Sequence, residues 1–242
     1  MENGNDMNVI KQFDKIAFLP DKWDHNRQYQ NYLLKNIQKN CNYILDVGCG
    51  TGELTKKLAL FGKKITGIDT SEGMICEALK RNFDDKIEYL KISVEEYLEQ
   101  TDKQFDIIIS IAALHHMNEE KVLGMMKNKL SENGKILILD LFQNETITDY
   151  FFSMAAALLN PFFMLIMNGR LRPDKNEREA WAEHFQYDKY LTVFEVKNIA
   201  EKVLGKAKMK KHLFWRYSLI YDSCGFGCIN PVSSCCTERS AI

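Results

Sequence analysis

Past the first forty residues the chain alternates short apolar runs with amphipathic stretches. The apolar runs Tyr43–Val47, Lys64–Ile68, Ile87–Ile92, Asp106–Ile111 and Lys135–Leu141 are rich in Ile, Leu and Val, as strands covered on both faces require. Amphipathic segments between them complete the form of βα repeats and predict a parallel sheet. Ser71 is placed to cap a helix running to about Arg81. Ser93 with Glu96, and Thr192 with Glu195, have the spacing of capping boxes, the second ahead of a helix stopped by Gly205. The turn Ser131–Gly134 is expected to end a helix and start the fifth strand. Lys206–Leu213 and Trp215–Tyr221 are joined by so short a link that they predict an antiparallel pair.

Three stretches break this rhythm. Residues 1–42 read as a polar, mainly helical lead-in, with Trp23, Tyr29 and Tyr32 near Asp24, His25, Asn26 and Arg27. Residues 143–190 are an insertion, and 223–242 a cysteine-rich tail. The expectation is one domain over 1–222 in which lead-in and insertion form a lid. Within the insertion, Phe151–Gly169 is almost uncharged and as long as a membrane span. Asn160 and Pro161 interrupt it, so two short helices over a site are expected, and membrane contact is not.

Composition changes this picture little. With 242 residues and a formal net charge of −1 the chain has no basic excess to attract nucleic acid. Met1–Asn8 lacks the basic start and apolar core of an export signal, so the seven cysteines are expected as reduced thiols in the cytoplasm. Cys224, Cys228, Cys235 and Cys236 have an adjacent pair and a C-x3-C spacing unlike common zinc fingers, and no metal is expected there.

The chemistry points to residues 44–55, ILDVGCGTGELT. A strand-like run reaches Asp46, then Gly48, Gly50 and Gly52 at alternate positions, then a helical segment. Glycines at such a turn let a ligand approach the backbone, and the helix start offers free N–H groups. Asp69 ends the second strand, roughly twenty residues on, where a carboxylate can accept both hydroxyls of a ribose. A dinucleotide site favours G-x-G-x-x-G, but here the last glycine position is Glu53. That carboxylate would repel a pyrophosphate and would suit a ligand with an amino group and a sulfonium.

LDVGCGTG at 45–52, GIDTSEGM at 67–74, FDIIISIAALHHM at 105–117 and LSENGKILILD at 130–140 resemble the class I S-adenosylmethionine-dependent methyltransferases, with a lead-in like that of a bacterial small-molecule subgroup. The resemblance implies a three-layer, Rossmann-like, doubly wound α/β sheet, mostly parallel with an antiparallel last strand. It implies S-adenosylmethionine as cofactor: Asp46, Gly48, Cys49 and Gly50 at the methionine part, Asp69 at the ribose, and Thr70 and Met74 at the adenine. An acid often follows the family's third strand. Here that position is Ser93, whose hydroxyl, or the backbone of Ser93 and Val94, is left to meet the adenine amine.

Methyl transfer needs alignment, and a base only where the acceptor keeps its proton. His115 and His116, just past the fourth strand, are the candidate bases, with His116 slightly preferred. His25, Tyr29, Tyr32, Trp181, His184, Phe185 and Tyr187 are candidates to face the acceptor, and with the Phe- and Met-rich insertion they suggest a fairly apolar small molecule. The competing functions are an NAD-type oxidoreductase and a non-catalytic cofactor-binding regulator.

Overall fold

A computed structural model of the chain describes residues 3–19, 24–172, 174–184 and 188–225. Seven strands form one sheet: β1 (Cys41–Val47), β2 (Gly62–Asp69), β3 (Ile87–Lys91), β4 (Phe105–Ile111), β5 (Leu130–Leu141), β6 (Lys208–His212) and β7 (Arg216–Asp222). Their order is β3-β2-β1-β4-β5-β7-β6. The first five pair in parallel, and β7 runs antiparallel between β5 and β6. The expected doubly wound sheet is therefore present, with its antiparallel last strand.

The helices are α1 (Asn3–Ile16), α2 (His25–Leu34), α3 (Glu53–Leu58), α4 (Glu72–Arg81), α5 (Val94–Gln100), α6 (Glu119–Asn128), α7 (Ile147–Asn168), α8 (Lys175–His184) and α9 (Val193–Val203). Successive strand residues point to opposite faces, so each apolar strand feeds two cores. Leu45, Ile108, Ile136 and Ile138 pack with Val122, Leu123, Met126 and Val196 on one side. Ile44, Ile107, Ile109, Leu137 and Leu139 pack with Leu33, Leu54 and Leu58 on the other. This alternation creates the three layers.

The strand order reverses at β1, which has β2 on one side and β4 on the other. Val47 pairs with both Ile68 and Ser110, so the carboxyl ends of all three strands lie level. A crevice at such a switch point is where open α/β sheets bind ligands.

Three local expectations are corrected. Ser131–Gly134 lies inside β5, whose pairing with β4 shifts register between Phe105 and Ile107. A Cβ on Gly134 would come within 2.7 Å of the Phe105 carbonyl oxygen, so glycine allows the strands this close approach. Ser93 caps α5 by accepting from the Glu96 N–H at 3.2 Å, but the Glu96 carboxylate accepts from Gln100 at 3.1 Å instead of returning the bond. The Thr192–Glu195 box makes both bonds. Finally, Pro161 does not divide the insertion: α7 is one helix of 22 residues. A Thr146–Asp149 capping box fixes its start and Gly169, at φ 68°, its end, while the proline forfeits a single backbone donor.

Candidate functional site

The crevice opens into a cavity of 860 Å³ bounded by the carboxyl ends of β1, β2 and β4, by α1, and by parts of the insertion. A second lobe of 760 Å³ shares Gly48, Gly50, Met74 and Asn160 with it and extends past Asp46, Cys49 and Glu53.

The glycine loop shapes the floor. Gly48, Gly50 and Gly52 all have positive φ, at 70°, 53° and 79°. A Cβ on Gly48 would sit 2.3 Å from the Ala113 Cβ, and one on Gly52 would sit 2.4 Å from the Tyr89 hydroxyl. At Gly50 the nearest atom is 3.9 Å away, the Met74 sulfur, so this glycine leaves room on the cavity side. The Gly48 and Cys49 N–H groups donate to the Ile68 carbonyl, and the Gly50 N–H donates to Asp69 at 2.9 Å. Asp69 also accepts from the Ser71 N–H at 2.9 Å. Burial raises its pKa, opposed by these backbone donors.

Asp46 is buried behind the loop and accepts from the Thr55 hydroxyl at 2.6 Å. Burial pushes it up to about 7, against the pull of Thr55 and helped by the nearby Asp69 charge. The Cys49 thiol is held protonated by burial and by Asp69 and Asp46. Thr70, Met74 and Val94 line the first lobe. Ser93 gives its hydroxyl to the α5 cap, while its neighbours Ile92 and Val94 face the cavity. Glu53 is not a bare charge at the helix start: Arg27 and Lys57 both pair with it.

Beyond the loop, β4 is followed by Ala112, at φ 52°, and a short 3₁₀ turn, Leu114–His116. Both histidines line the cavity, but in different settings. Asp140, near the end of β5, accepts from the His115 ring Nδ1 at 2.6 Å and from its backbone N–H at 3.0 Å. Burial disfavours the charged ring, yet the Asp140 charge and hydrogen bond outweigh it and raise the His115 pKa. His116 packs edge-on against Phe13 and beside His184, and its buried Nε2 has no hydrogen-bond partner. Burial and the two neighbouring histidines push it down to about 2. Asp188 lies 3.5 Å from His184 Nε2 and 3.8 Å from His116 Nδ1, and it accepts from the Tyr190 hydroxyl. His115, His116 and Asp188 hold ligand-type atoms within 4.8 Å of one another, close enough to share a cation.

Of the lead-in and insertion candidates, His25, Trp181 and His184 line the cavity. His25 stacks on Phe214 at 4.0 Å, and burial lowers its pKa to about 4. Tyr29 and Tyr32 pack on His212 at 4.6 and 5.2 Å, on the edge strand, and so do not face the cavity. Trp23, Phe185 and Tyr187 lie outside the described residues, as do Cys228, Cys235 and Cys236. Cys224 is exposed beside Asn133.

Sequence reasoning missed Asp140, Asp188, Tyr190 and Arg216. Asp140 carried a usable signal, an acid at the end of a strand as in Asp46 and Asp69. Arg216 carried none, because its place on the wall depends on the antiparallel return of β7. There it is buried and donates to Asn26 at 2.8 Å. Asp14 was also missed: from α1 it accepts from Ser71 Oγ at 2.6 Å and from the Gly73 N–H at 2.9 Å, tying the lead-in to α4.

Residues 45–138 match the family model described as a methyltransferase domain. A ubiquinone biosynthesis O-methyltransferase of Dechloromonas aromatica is 29% identical over 160 residues, covering 60% of this chain and 68% of the relative. A malonyl-[acyl-carrier protein] O-methyltransferase of Bacillus cytotoxicus is 30% identical over 147 residues, covering 57% and 51%. Among solved structures, the N-methyltransferase NodS of Bradyrhizobium japonicum with S-adenosyl-L-homocysteine aligns with a TM-score of 0.60 at 16% identity, over 89% of this chain and 98% of that one. At that identity it supports the fold alone. With the sheet order and the glycine loop, these matches make the chain similar to the class I S-adenosylmethionine-dependent methyltransferases, with residues 45–138 matching their domain.

Proposed function

We propose that the protein transfers the methyl group of S-adenosylmethionine to a small, fairly apolar acceptor bearing one ionisable hydroxyl, and that His115 takes its proton. The carrying observation is the His115–Asp140 pair, 2.6 Å apart, on the wall of the same cavity as the glycine loop. The relatives' names favour oxygen as the receiving atom.

The residues present fit the cofactor. The open side of Gly50 gives a ligand access to backbone, and Asp69 keeps lone pairs beyond its two N–H donors for ribose hydroxyls. Asp46, Gly48, Cys49 and Gly50 would hold the methionine part, and Thr70, Met74, Val94 and the Ser93 backbone the adenine. The bound cofactor supplies an electrophilic methyl on a sulfonium.

Asp140 can only accept, so it holds the His115 proton on Nδ1 and leaves Nε2 with a free lone pair. That nitrogen can remove an acceptor proton as oxygen becomes nucleophilic. His116, with its pKa near 2, lacks the basicity for this near neutral pH and serves as packing, reversing the slight preference from sequence. Phe13, Trp181 and Trp215 supply apolar wall for the acceptor body.

Calorimetry with S-adenosylmethionine, its demethylated product and NAD, followed by labelled-methyl assays on phenols, amines and small polar acids, tests this reading. Binding of the first two ligands and preferential methylation of phenols is expected. Equal turnover of small polar acceptors would sink the apolar assignment, and cofactor binding without transfer to any acceptor would favour a regulator.

A further inference from the structure

A charge taken out of water is normally paired, because burial by itself disfavours it. Arg216, at the start of β7, is 8% exposed, yet among the described residues no carboxylate forms an ion pair with its guanidinium. Burial lowers its pKa, and the Asp24 and Asp140 charges oppose this from a distance. Asn26 stands between Arg216 and Asp24, donating to the acid at 3.5 Å. A guanidinium has five N–H donors. Here Nε donates to the Asn26 amide oxygen at 2.8 Å and Nη1 to the Phe214 carbonyl at 2.6 Å. One donor on Nη1 and both on Nη2 are left without a partner among the described residues.

The strand register places these donors relative to the base. β5 and β7 pair Leu141 with Arg216 and Asp140 with Tyr217. Arg216 therefore leaves the sheet on the face of Asn26 and α2, while Asp140 holds His115 on the other face. Both lie at the sheet edge where the first lobe opens, and Arg216 and His115 both line that lobe. Arg216 is the only arginine or lysine among its lining residues. The acids there are already engaged: Asp24 accepts from the Arg27 N–H, Asp69 from the Gly50 N–H, and Asp188 from the Tyr190 hydroxyl. The second lobe, which runs past Asp46, Cys49 and Glu53 at the methionine end, does not include Arg216.

We propose that Arg216 binds a carboxylate of the acceptor, so that the methylated molecule is a hydroxyaromatic acid with its hydroxyl at His115 and its carboxylate on the opposite wall. This rests on the methyl-transfer reading above and adds a chemical class to its acceptor. A carboxylate matches the guanidinium in a two-bond fork, and Arg216 keeps neighbouring donors on Nη1 and Nη2 for it. The apolar wall takes the ring between the two anchors.

Calorimetry on the full chain loaded with the demethylated cofactor reads this site without any transfer. The probes are hydroxybenzoates and hydroxyphenylacetates, each set against its neutral amide. The acids should bind at least tenfold tighter than the amides, as a charge-assisted hydrogen-bonded pair gives. Arg216→Gln should erase that preference by weakening the acids. Arg216→Lys, which keeps the charge and loses the fork, should restore part of it. S-adenosylmethionine should bind both variants as it binds wild type. Acids that bind wild type no tighter than their amides would overturn the proposal before any variant is made. Equal loss of acid and amide binding in R216Q would make Arg216 structural, and a loss confined to S-adenosylmethionine would assign it to the cofactor carboxylate. Selective acid binding through Arg216 with no methylation would leave the anion site standing and sink the methyl-transfer reading. Methylation of phenols with no preference for acids would do the reverse.

Discussion

Asp140 grips His115 twice, through the ring Nδ1 at 2.6 Å and the backbone N–H at 3.0 Å, fixing both tautomer and ring orientation. A base must be neutral to act, and the His115 pKa is raised above the usual imidazole value. Turnover per KM should therefore climb with pH and level off above that range. Asp140→Asn removes the charge that raises it, so the limb should move to lower pH while the plateau falls about 10²–10⁴-fold. H115N should cost as much, and the double variant little more, because the two act as a unit. A pH profile of D140N with an unmoved limb would reduce Asp140 to a structural role.

Gly48 and Gly50 should fail differently. A Cβ on Gly48 would overlap Ala113, so Gly48→Ala should lower the melting temperature and disturb the turn that carries both histidines. Gly50→Ala meets only the Met74 sulfur, at 3.9 Å, and its cost comes mainly from its positive φ, roughly 1 kcal/mol. Its larger effect should be on S-adenosylmethionine affinity, at least tenfold by calorimetry. Equal loss of affinity and stability in both variants would contradict this division.

Asp46 carries a pH signature. Its folded pKa of about 7 lies above the ordinary 3.8, so the folded chain holds this proton longer than the unfolded chain does. The cost of ionising it is absent below about pH 4 and grows as pH rises to about 7. Asp46→Asn keeps an acceptor for Thr55 and removes that cost. The cofactor-free variant should melt higher than wild type at pH 8 by more than at pH 5, the excess being at least ~2 °C, yet bind S-adenosylmethionine more weakly. A melting difference independent of pH would refute the buried-acid account.

Asp14 holds the lead-in over the site by serving the start of α4 from another helix. Asp14→Ala leaves the Gly73 N–H without its acceptor and should cost about 1 kcal/mol. Proteolysis within α1 should quicken, and cofactor affinity should fall because Phe13 and Val9 on that helix line the cavity. Unchanged cleavage would mean that α1 is held by apolar packing alone.

His115, His116 and Asp188 are near enough to bind a cation, but Asp140 already occupies one nitrogen of His115. With His115 acting as a base, methyl transfer should survive dialysis against EDTA, and added zinc should inhibit by capping Nε2. Loss of activity on chelation, restored by one metal ion per chain, would replace the proton-transfer reading with a metal-assisted one.

The sequence by itself determined the strands, the glycine loop and Asp69, because each is written in local spacing. Apolar runs of strand length make strands, and alternate glycines after one of them make a cradle, whatever surrounds them. It also located the histidine pair, but not which member has a partner. That choice waited on the sheet order, which brings the end of β5 beside the end of β4 and so sets Asp140 against His115, 25 positions apart in the chain. The same holds for Arg216, carried to the wall by an antiparallel return, and for Asp14, which caps a helix it does not belong to. In Phe151–Gly169 composition gave the apolar character, while the side that packs inward was decided only when Asn144 met Ser153 and Phe214 met Phe163. Periodicity encodes which faces a segment has. Which of them meets the protein depends on partners that only the folded chain brings into contact.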